Sequence, residues 1–481
     1  MDFRLLIKVQ GALMVVLGAL ICIPGLFSIF NGGPYTLHLM WTTLLCVVIG
    51  LSLWLMFREY EQELNGRTGF AVVAFSWIVA STLGSLPYYV TGTLPSFVDA
   101  LFEAASGFTG TGASVFSDLH AIDKSILLWR SMTQWLGGLG IIVFFIAILP
   151  TLGLTFGQLF RVESTGPQKD KLSPRVKETA KKLWWIYTAL TLLLIIILRA
   201  LGMTGFEAVN HALTTLSTGG FSTHNQGIAG FNSPAMEYVL ALFMILGSIS
   251  FALHYRLLVR GEKNVLFASE LKFYLLAIAL GCALLTSLIW QVEISSFESA
   301  FRAALFTTSC MISSTGFTNY DYASWGLAAQ FLILLFMIMG GMSGSTAGGV
   351  KAIRVLLAVK HVIRELSRAI HPTAVLTIKI DKHSLSENLV NALWGFFLLY
   401  LGCFVSLTFF LLYQGFDFIS AISVTASMFS NIGPAMGAHG PYDNYALLNH
   451  LTKMVLSFSM IVGRLEFYTI LILFTAMYWK K

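Results

Sequence analysis

Charge is what this sequence has least of. Asp, Glu, Lys and Arg make up only 11% of its 481 residues, against roughly a quarter in an average soluble protein. Hydrophobic residues account for 56% and aromatic ones for 14%, and the mean hydropathy is +0.76. The shortage excludes a soluble globular body and leaves a polytopic membrane protein. Cysteine is also scarce. Cys22, Cys46, Cys282, Cys310 and Cys403 fall in apolar or pore-like stretches without metal-ligand spacing, so they read as small buried side chains and not as disulfides or a metal centre. The net charge of +6 does not point to nucleic acid, because the cations lie in blocks between apolar runs, as membrane orientation requires. No carboxylate or histidine cluster stands at catalytic spacing near a cytosolic face, which makes an integral membrane enzyme a remote reading. His211 and His254 read as satisfied structural side chains. A signal peptide is excluded at the start, since the apolar run from Val9 to Phe30 is too long for an h-region and no A-x-A-like site follows it.

What is present is a repeat. Thr109-Gly110-Thr111-Gly112 has near-copies at Leu216-Ser217-Thr218-Gly219, Ser313-Ser314-Thr315-Gly316 and Ser430-Asn431-Ile432-Gly433, with glycine spacings of 107, 97 and 117 residues. A Phe precedes each copy, at Phe97, Phe206, Phe301 and Phe418, and acids lie close by at Asp99, Glu103, Glu207, Glu298 and Asp417. One Ser-Thr-Gly turn is an ordinary loop. Four in matching contexts predict four quarters of one architecture: an all-α fold in which each unit is a long helix, a short pore helix, the polar turn and a second long helix.

Apolar length places the helices, because a span needs about 20 apolar residues. Two spans, 8–30 and 38–57, stand outside the repeat and are joined by Asn31-Gly32-Gly33-Pro34. The outer helices of the four units are expected at 70–90 and 125–155, 184–201 and 236–258, 269–290 and 327–359, and 388–413 and 450–478. The runs at 98–108, 206–216, 301–312 and 418–429 are too short to span and end in polar backbone, which is tolerated at membrane depth only beside protein or water. They read as re-entrant. The divisions are thus 1–69 for the two leading helices, 70–160, 161–259 and 260–360 for the first three repeats, and 361–481 for the fourth. With the amino terminus inside, 24 of the 30 Lys and Arg fall on the inner side and 11 of the 24 acids on the outer, so both termini are expected in the cytoplasm and an acidic mouth outside.

Four equivalent turns around one axis would aim backbone carbonyls at a common line and replace the hydration shell of a cation. The pore helices would add the negative ends of their dipoles. Re-entrant turns that only pack are the plain alternative. Below them, the run from Leu327 is interrupted by Gly340-Gly341-Met342-Ser343-Gly344-Ser345-Thr346-Ala347-Gly348-Gly349. The full stretch 327–359 would reach ~50 Å as one helix, well past a hydrocarbon core of about 30 Å. A break is expected, either as a functional loop or as a packing kink. It is not a Walker A loop, since Lys351 follows Gly349-Val350 without Gly-Lys-Ser/Thr. Arg464 falls in the middle of the last expected helix, where a charge is costly and functional by default. Glu466, about 200° further round, cannot pair with it along one face, so each needs another partner.

These residues carry a specific resemblance. The run Phe102-Glu103-Ala104-Ala105-Ser106-Gly107-Phe108-Thr109, then Thr111-Gly112-Ala113 and Gln134-Trp135-Leu136-Gly137-Gly138-Leu139-Gly140, resembles the TrkH/TrkG membrane subunits of bacterial Trk potassium uptake. So do Gly166-Pro167, Lys171-Leu172-Ser173-Pro174-Arg175, Thr179-Ala180-Lys181, Ser430-Asn431-Ile432-Gly433-Pro434 and Gly463-Arg464-Leu465-Glu466. The resemblance covers nearly the whole chain. It implies the fold of the Trk/Ktr/HKT superfamily, potassium (K+) as the transported ion, a homodimer in the bacterial inner membrane, and a cytosolic TrkA-type NAD/ATP-binding ring as regulator. It places the filter glycines on Gly112, Gly219, Gly316 and Gly433, with Gly110, Thr111, Ser217, Thr218, Ser314, Thr315, Asn431 and Ile432 around them. None of the four is Ser, a change that goes with sodium transport in the plant relatives. Gly110 departs from the Thr expected there, and Gly219-Gly220 leaves the register of the second quarter open by one residue. The resemblance also makes Gly340–Gly349 a gate loop and Arg464 a positive barrier in the pore; against the barrier stands a structural ion pair with another helix. A sodium- or proton-coupled symporter on the same scaffold is the nearest alternative.

Overall fold

Apolar length decides where this chain is helical, and small residues decide how closely the helices approach. The computed structural model describes residues 2–60, 66–138, 140, 176–374, 376–381 and 383–480. The first helix, Phe3–Phe30, starts where the Asp2 carboxylate accepts the Arg4 and Leu5 N–H groups at 3.0 and 3.2 Å, an N-cap. Its partner, Thr36–Met56, lies against it with the backbones touching at Gly11 and Gly50. A Cβ on Gly11 would sit 2.8 Å from the Gly50 carbonyl oxygen. In lipid, such small-residue contacts bring helices together where no hydrophobic drive exists.

The four quarters follow. Their first helices are Gly66–Val90, Val176–Ala200, Ser269–Ile289 and Glu387–Tyr413, and their short helices are Phe97–Thr109, Gly205–Leu216, Phe297–Ile312 and Phe418–Ser430. Capping starts three of the short helices: Ser96 and Asp417 accept from the N–H groups of Asp99 and Ser420, and Thr204 with Glu207 makes a capping box. The inner ends of these helices are buried, because each stops in the middle of the protein.

The second helix of two quarters is where the structure departs from expectation. The single helices expected over 236–258 and 450–478 are each two. Pro234–Gly247 meets Phe251–Leu258 at 97°, and His450–Arg464 meets Tyr468–Phe474 at 112°. At the first bend the Gly247 and Ser248 carbonyls leave the helix ladder and accept from the Thr346 hydroxyl and the Met342 N–H at 2.9 and 3.0 Å. At the second, Glu466 and Phe467 both have positive φ, 54° and 64°. Arg464 is therefore the last residue of its helix and not a mid-helix charge. In the third quarter, Leu327–Met339 and Ala352–Ile370 flank the expected break. In the first, Lys124–Gly138 is seen, and the continuation expected to 155 lies outside the described residues, as does most of the basic loop at 161–182. Among the described residues, six helices are long and apolar enough to cross a membrane, or eight if each bent pair is one span; the ten spans expected also counted the first-quarter helix and the broken third-quarter one.

Both ends of the chain meet at one end of the molecule. Asp2 bonds Tyr60, the Lys8 ammonium donates to the Arg58 and Tyr60 carbonyls, Arg67 donates to the Lys480 carbonyl at 2.7 Å, and Tyr478 donates to that of Arg67.

Candidate functional site

Each short helix ends in the same turn. The N–H groups of Thr111, Gly219, Thr315 and Ile432 donate to the carbonyls of Ser106, Thr214, Cys310 and Ser427 at 2.9–3.0 Å, closing the helix ends. The residue before each, Gly110, Thr218, Ser314 or Asn431, has φ of 70°, 52°, 56° or 55°, and the residue after it, Gly112, Gly220, Gly316 or Gly433, has φ of 80°, 78°, 79° or 98°. This alternation fixes the register. The second-quarter counterpart of Gly112, Gly316 and Gly433 is Gly220, and Gly219 takes the place of Thr111, Thr315 and Ile432, so the expectation on Gly219 shifts by one residue. Spacing alone matches Thr218 to Thr111; backbone geometry sets it beside Gly110. Glycine at 110 suits a left-handed site that Asn431 also tolerates and that Ser314 and, most of all, the β-branched Thr218 occupy under strain.

The four turns close a ring. A Cβ on Gly112 would lie 2.2 Å from the Gly219 carbonyl oxygen, one on Gly220 2.0 Å from that of Thr315, one on Gly316 1.7 Å from that of Ile432, and one on Gly433 2.5 Å from that of Thr111. Every third-position glycine thus presses on a carbonyl of the next quarter, in the order first, second, third, fourth, first. Glycine is required twice over, by φ and by contact. On one side the ring opens into a cavity of about 120 Å³, lined by Gly112, Gly220, Gly316 and Gly433 together.

On the other side lies the glycine-rich loop. The Gly348 N–H donates to the Ser314 hydroxyl at 2.6 Å, the Thr346 hydroxyl lies 2.9 Å from the Gly247 carbonyl oxygen and 3.1 Å from that of Leu216, and a Cβ on Gly348 would be 2.1 Å from the Ser430 carbonyl oxygen. The loop therefore crosses beneath three of the four turns. It is held from the side as well: the Met342 N–H donates to the Ser248 carbonyl at 3.0 Å, the Phe251 N–H to that of Gly344 at 3.0 Å, and the Ser343 N–H to the Glu270 carboxylate at 2.8 Å. Gly340 and Gly349 meet at the loop's neck, both at positive φ, and Gly341 packs on Ala347; Ser345 donates to the Met342 carbonyl within it.

Arg464 joins the loop to the first quarter. Its guanidinium donates to the Thr346 carbonyl at 2.6 Å and to the Gly137 and Gly138 carbonyls at 2.7 and 2.6 Å. Charge-assisted bonds of this kind are about twice as strong as neutral ones. Glu466 pairs with Arg354 on the helix that follows the loop. The two charges expected to need separate partners have them.

Comparison with known proteins agrees with this architecture. The cation transport protein family TrkH matches residues 37–481. The chain belongs to the TrkH family. It is 36% identical over 486 residues to the Trk system potassium uptake protein TrkH of Halomonas elongata and 36% over 485 residues to that of Escherichia coli K12, each comparison covering 100% of both chains. TrkG of the same E. coli strain is 35% identical over 90% of each chain. A crystal structure of the potassium transporter TrkH from Vibrio parahaemolyticus superposes with a TM-score of 0.90 at 34% identity, over 100% of both chains. The TrkH family comprises transporters, not enzymes.

In this TrkH-family chain the acids near the turns are paired or serve as a cap. Asp99 pairs with Lys453 at 2.7 Å, Glu103 with Arg130 at 2.6 Å, Glu207 with His224 at 3.0 Å and Glu298 with Arg302 at 3.0 Å, while Asp417 is an N-cap. Glu103 is fully buried and also accepts from Val115 N–H. Two bonds join quarters: Lys453 belongs to the fourth and Asp99 to the first, and Arg302 of the third also reaches Glu237 of the second at 2.8 Å. The pairs between quarters carry no local signal in the sequence: Asp99 and Lys453 are 354 positions apart, and Glu237 and Arg302 are 65. His211 and His254 are structural, with ring nitrogens 2.9 Å from the Glu207 and Leu246 carbonyl oxygens.

Proposed function

We propose that this chain is the membrane subunit of a potassium uptake system in the bacterial cytoplasmic membrane. The ring of four turns is its selectivity filter. Carbonyls at Gly110–Gly112, Thr218–Gly220, Ser314–Gly316 and Asn431–Gly433 take the place of the water around K+, and Ser217 supports the second turn. The observation that carries this reading is the cyclic contact of each third-position glycine with a carbonyl of the next quarter, since only glycine leaves room for that many carbonyls around one line. The curated relatives are potassium uptake proteins, which supports K+ as the ion.

The loop Gly340–Gly349 is the gate. It crosses the path beneath the filter, and Arg464 holds it there while placing a fixed positive charge beside the path. Both termini face the cytoplasm, the chain works as a homodimer, and a cytosolic nucleotide-binding ring binds the basic inner surface and moves the loop. Flux through the purified chain in liposomes, with potassium, rubidium, sodium and lithium compared at one set voltage, tests the reading. Potassium and rubidium should pass in preference to sodium and lithium; equal passage of sodium would end the filter assignment.

A further inference from the structure

The second turn is the irregular one. Its middle residue is Gly219, where the other quarters carry the side chains of Thr111, Thr315 and Ile432. Those threonine hydroxyls bond inside their own turns, Thr111 with Thr109 and Thr315 with Ser313, each at 2.7 Å. Gly219 has no hydroxyl to offer. It does not have positive φ, so its backbone would accept a side chain.

The space is taken by Gln134. All three atoms closest to a Cβ built on Gly219 belong to the Gln134 amide, at 2.3, 2.5 and 2.8 Å. That amide donates to the Gly219 carbonyl at 2.6 Å and accepts the Phe221 N–H at 3.1 Å, bridging the turn on either side of Gly220. Gln134 is completely buried. One turn earlier on the same helix, Arg130 donates to the Ser222 carbonyl at 3.0 Å and lies 3.4 Å from the Phe221 ring centroid, so the segment past the turn is held as well.

We infer that Gln134 is a positioning residue for ion selectivity, a side chain lent by the first quarter to the second in place of the one Gly219 lacks. A carbonyl oxygen has two acceptor positions. Gln134 occupies one at Gly219 and so fixes where the other points, toward the ring, where Gly112 rests against it. The N–H it takes from Phe221 fixes the far end of the turn. Without the amide, the second turn keeps its helix-end bond to Thr214 but loses the brace that sets its width, and a smaller cation no longer meets a fixed cage. The inference rests on the filter reading above.

Four proteins in liposomes test it: wild type, Gln134→Ala, Gly219→Thr and the double variant. Flux of potassium and sodium and thermal stability are measured on each. Gln134→Ala should lower the potassium-to-sodium ratio about fivefold or more, the scale of one lost hydrogen bond. Gly219→Thr should lower it too, by driving a side chain into the Gln134 amide. The double variant, with the threonine in the vacated space, should recover much of the ratio lost by either single change. Gln134→Met fills the site without bonds, and serves if Gln134→Ala does not fold. A wild-type ratio in folded Gln134→Ala or Gln134→Met, or a double variant whose loss is the sum of the two singles, overturns the inference. If wild type itself passes sodium as readily as potassium, the filter reading fails; if wild type is selective and the Gln134 variants match it, the brace alone fails.

Discussion

At the scale of single residues, the ring makes sharp demands. Gly316 needs a left-handed backbone and has a neighbouring carbonyl where its Cβ would be, so Gly316→Ser must push Ile432 outward and narrow the preference for potassium over sodium. Gly220→Ser should do the same, because it meets the Thr315 carbonyl in the same way. Ion flux ratios on both variants decide the matter, and an unchanged ratio in Gly220→Ser would return the register to Gly219. Arg464 makes a second test possible. Its three carbonyl contacts join the loop to the first quarter, so Arg464→Ala frees the loop and also removes a repulsive charge. At ~8 Å and an effective dielectric of 20, that repulsion is roughly 2 kcal/mol. Even half of it changes a rate several-fold, at about 1.4 kcal/mol per tenfold. Flux per folded molecule should rise several-fold in Arg464→Ala, with Arg464→Lys nearer to wild type and selectivity kept in both. A variant that is less stable and no faster would make Arg464 a structural tie only.

At the scale of elements, the proposed function makes the loop from Gly340 to Gly349 the part that moves. It is fastened by hydrogen bonds to the bend at Ser248–Phe251, to Glu270 and to Ser314. Deleting Met342 to Thr346 removes the crossing segment and should raise basal flux, while an unchanged flux in folded protein would demote the loop to a packing kink. The same scale shows what sequence can and cannot say. The short helices and the loop were legible, because apolar length and glycine clusters are local properties. The bends at Gly247–Phe251 and Arg464–Tyr468 were not, since hydropathy continues across them and the partners of the Gly247 and Ser248 carbonyls lie about a hundred residues away. The register at Gly219-Gly220 was illegible for a related reason: two adjacent glycines satisfy the same motif, and only the backbone angles and the Gln134 contact separate them. Ion pairs such as Asp99 with Lys453 depend on the order of the quarters around the axis, which a linear repeat does not state.

At the scale of the whole molecule, four unequal quarters make one ring, and the side expected to face inward collects most of the lysines and arginines in the sequence. Arg354 already spends its charge on Glu466 and Arg364 on Glu365 and Glu387, whereas Lys360, half-buried, donates to the Lys379 carbonyl and has no acidic partner among the described residues. A cytosolic partner that docks there does so through exposed charges, which salt screens over about 10 Å at 0.1 M. Raising salt from low to physiological strength should weaken the complex measurably in a pull-down from the native host. Binding that ignores salt would move the docking surface elsewhere. The central claim is that the four turns together hold a dehydrated potassium-sized cation. Rubidium, which scatters anomalously and is close to potassium in size, reports the site directly in crystals of the purified protein. Anomalous density is expected inside the ring, among the carbonyls of Thr111, Gly219, Thr315 and Ile432 and the four glycines that follow them. Rubidium density elsewhere in the protein, with none in the ring, would contradict the account.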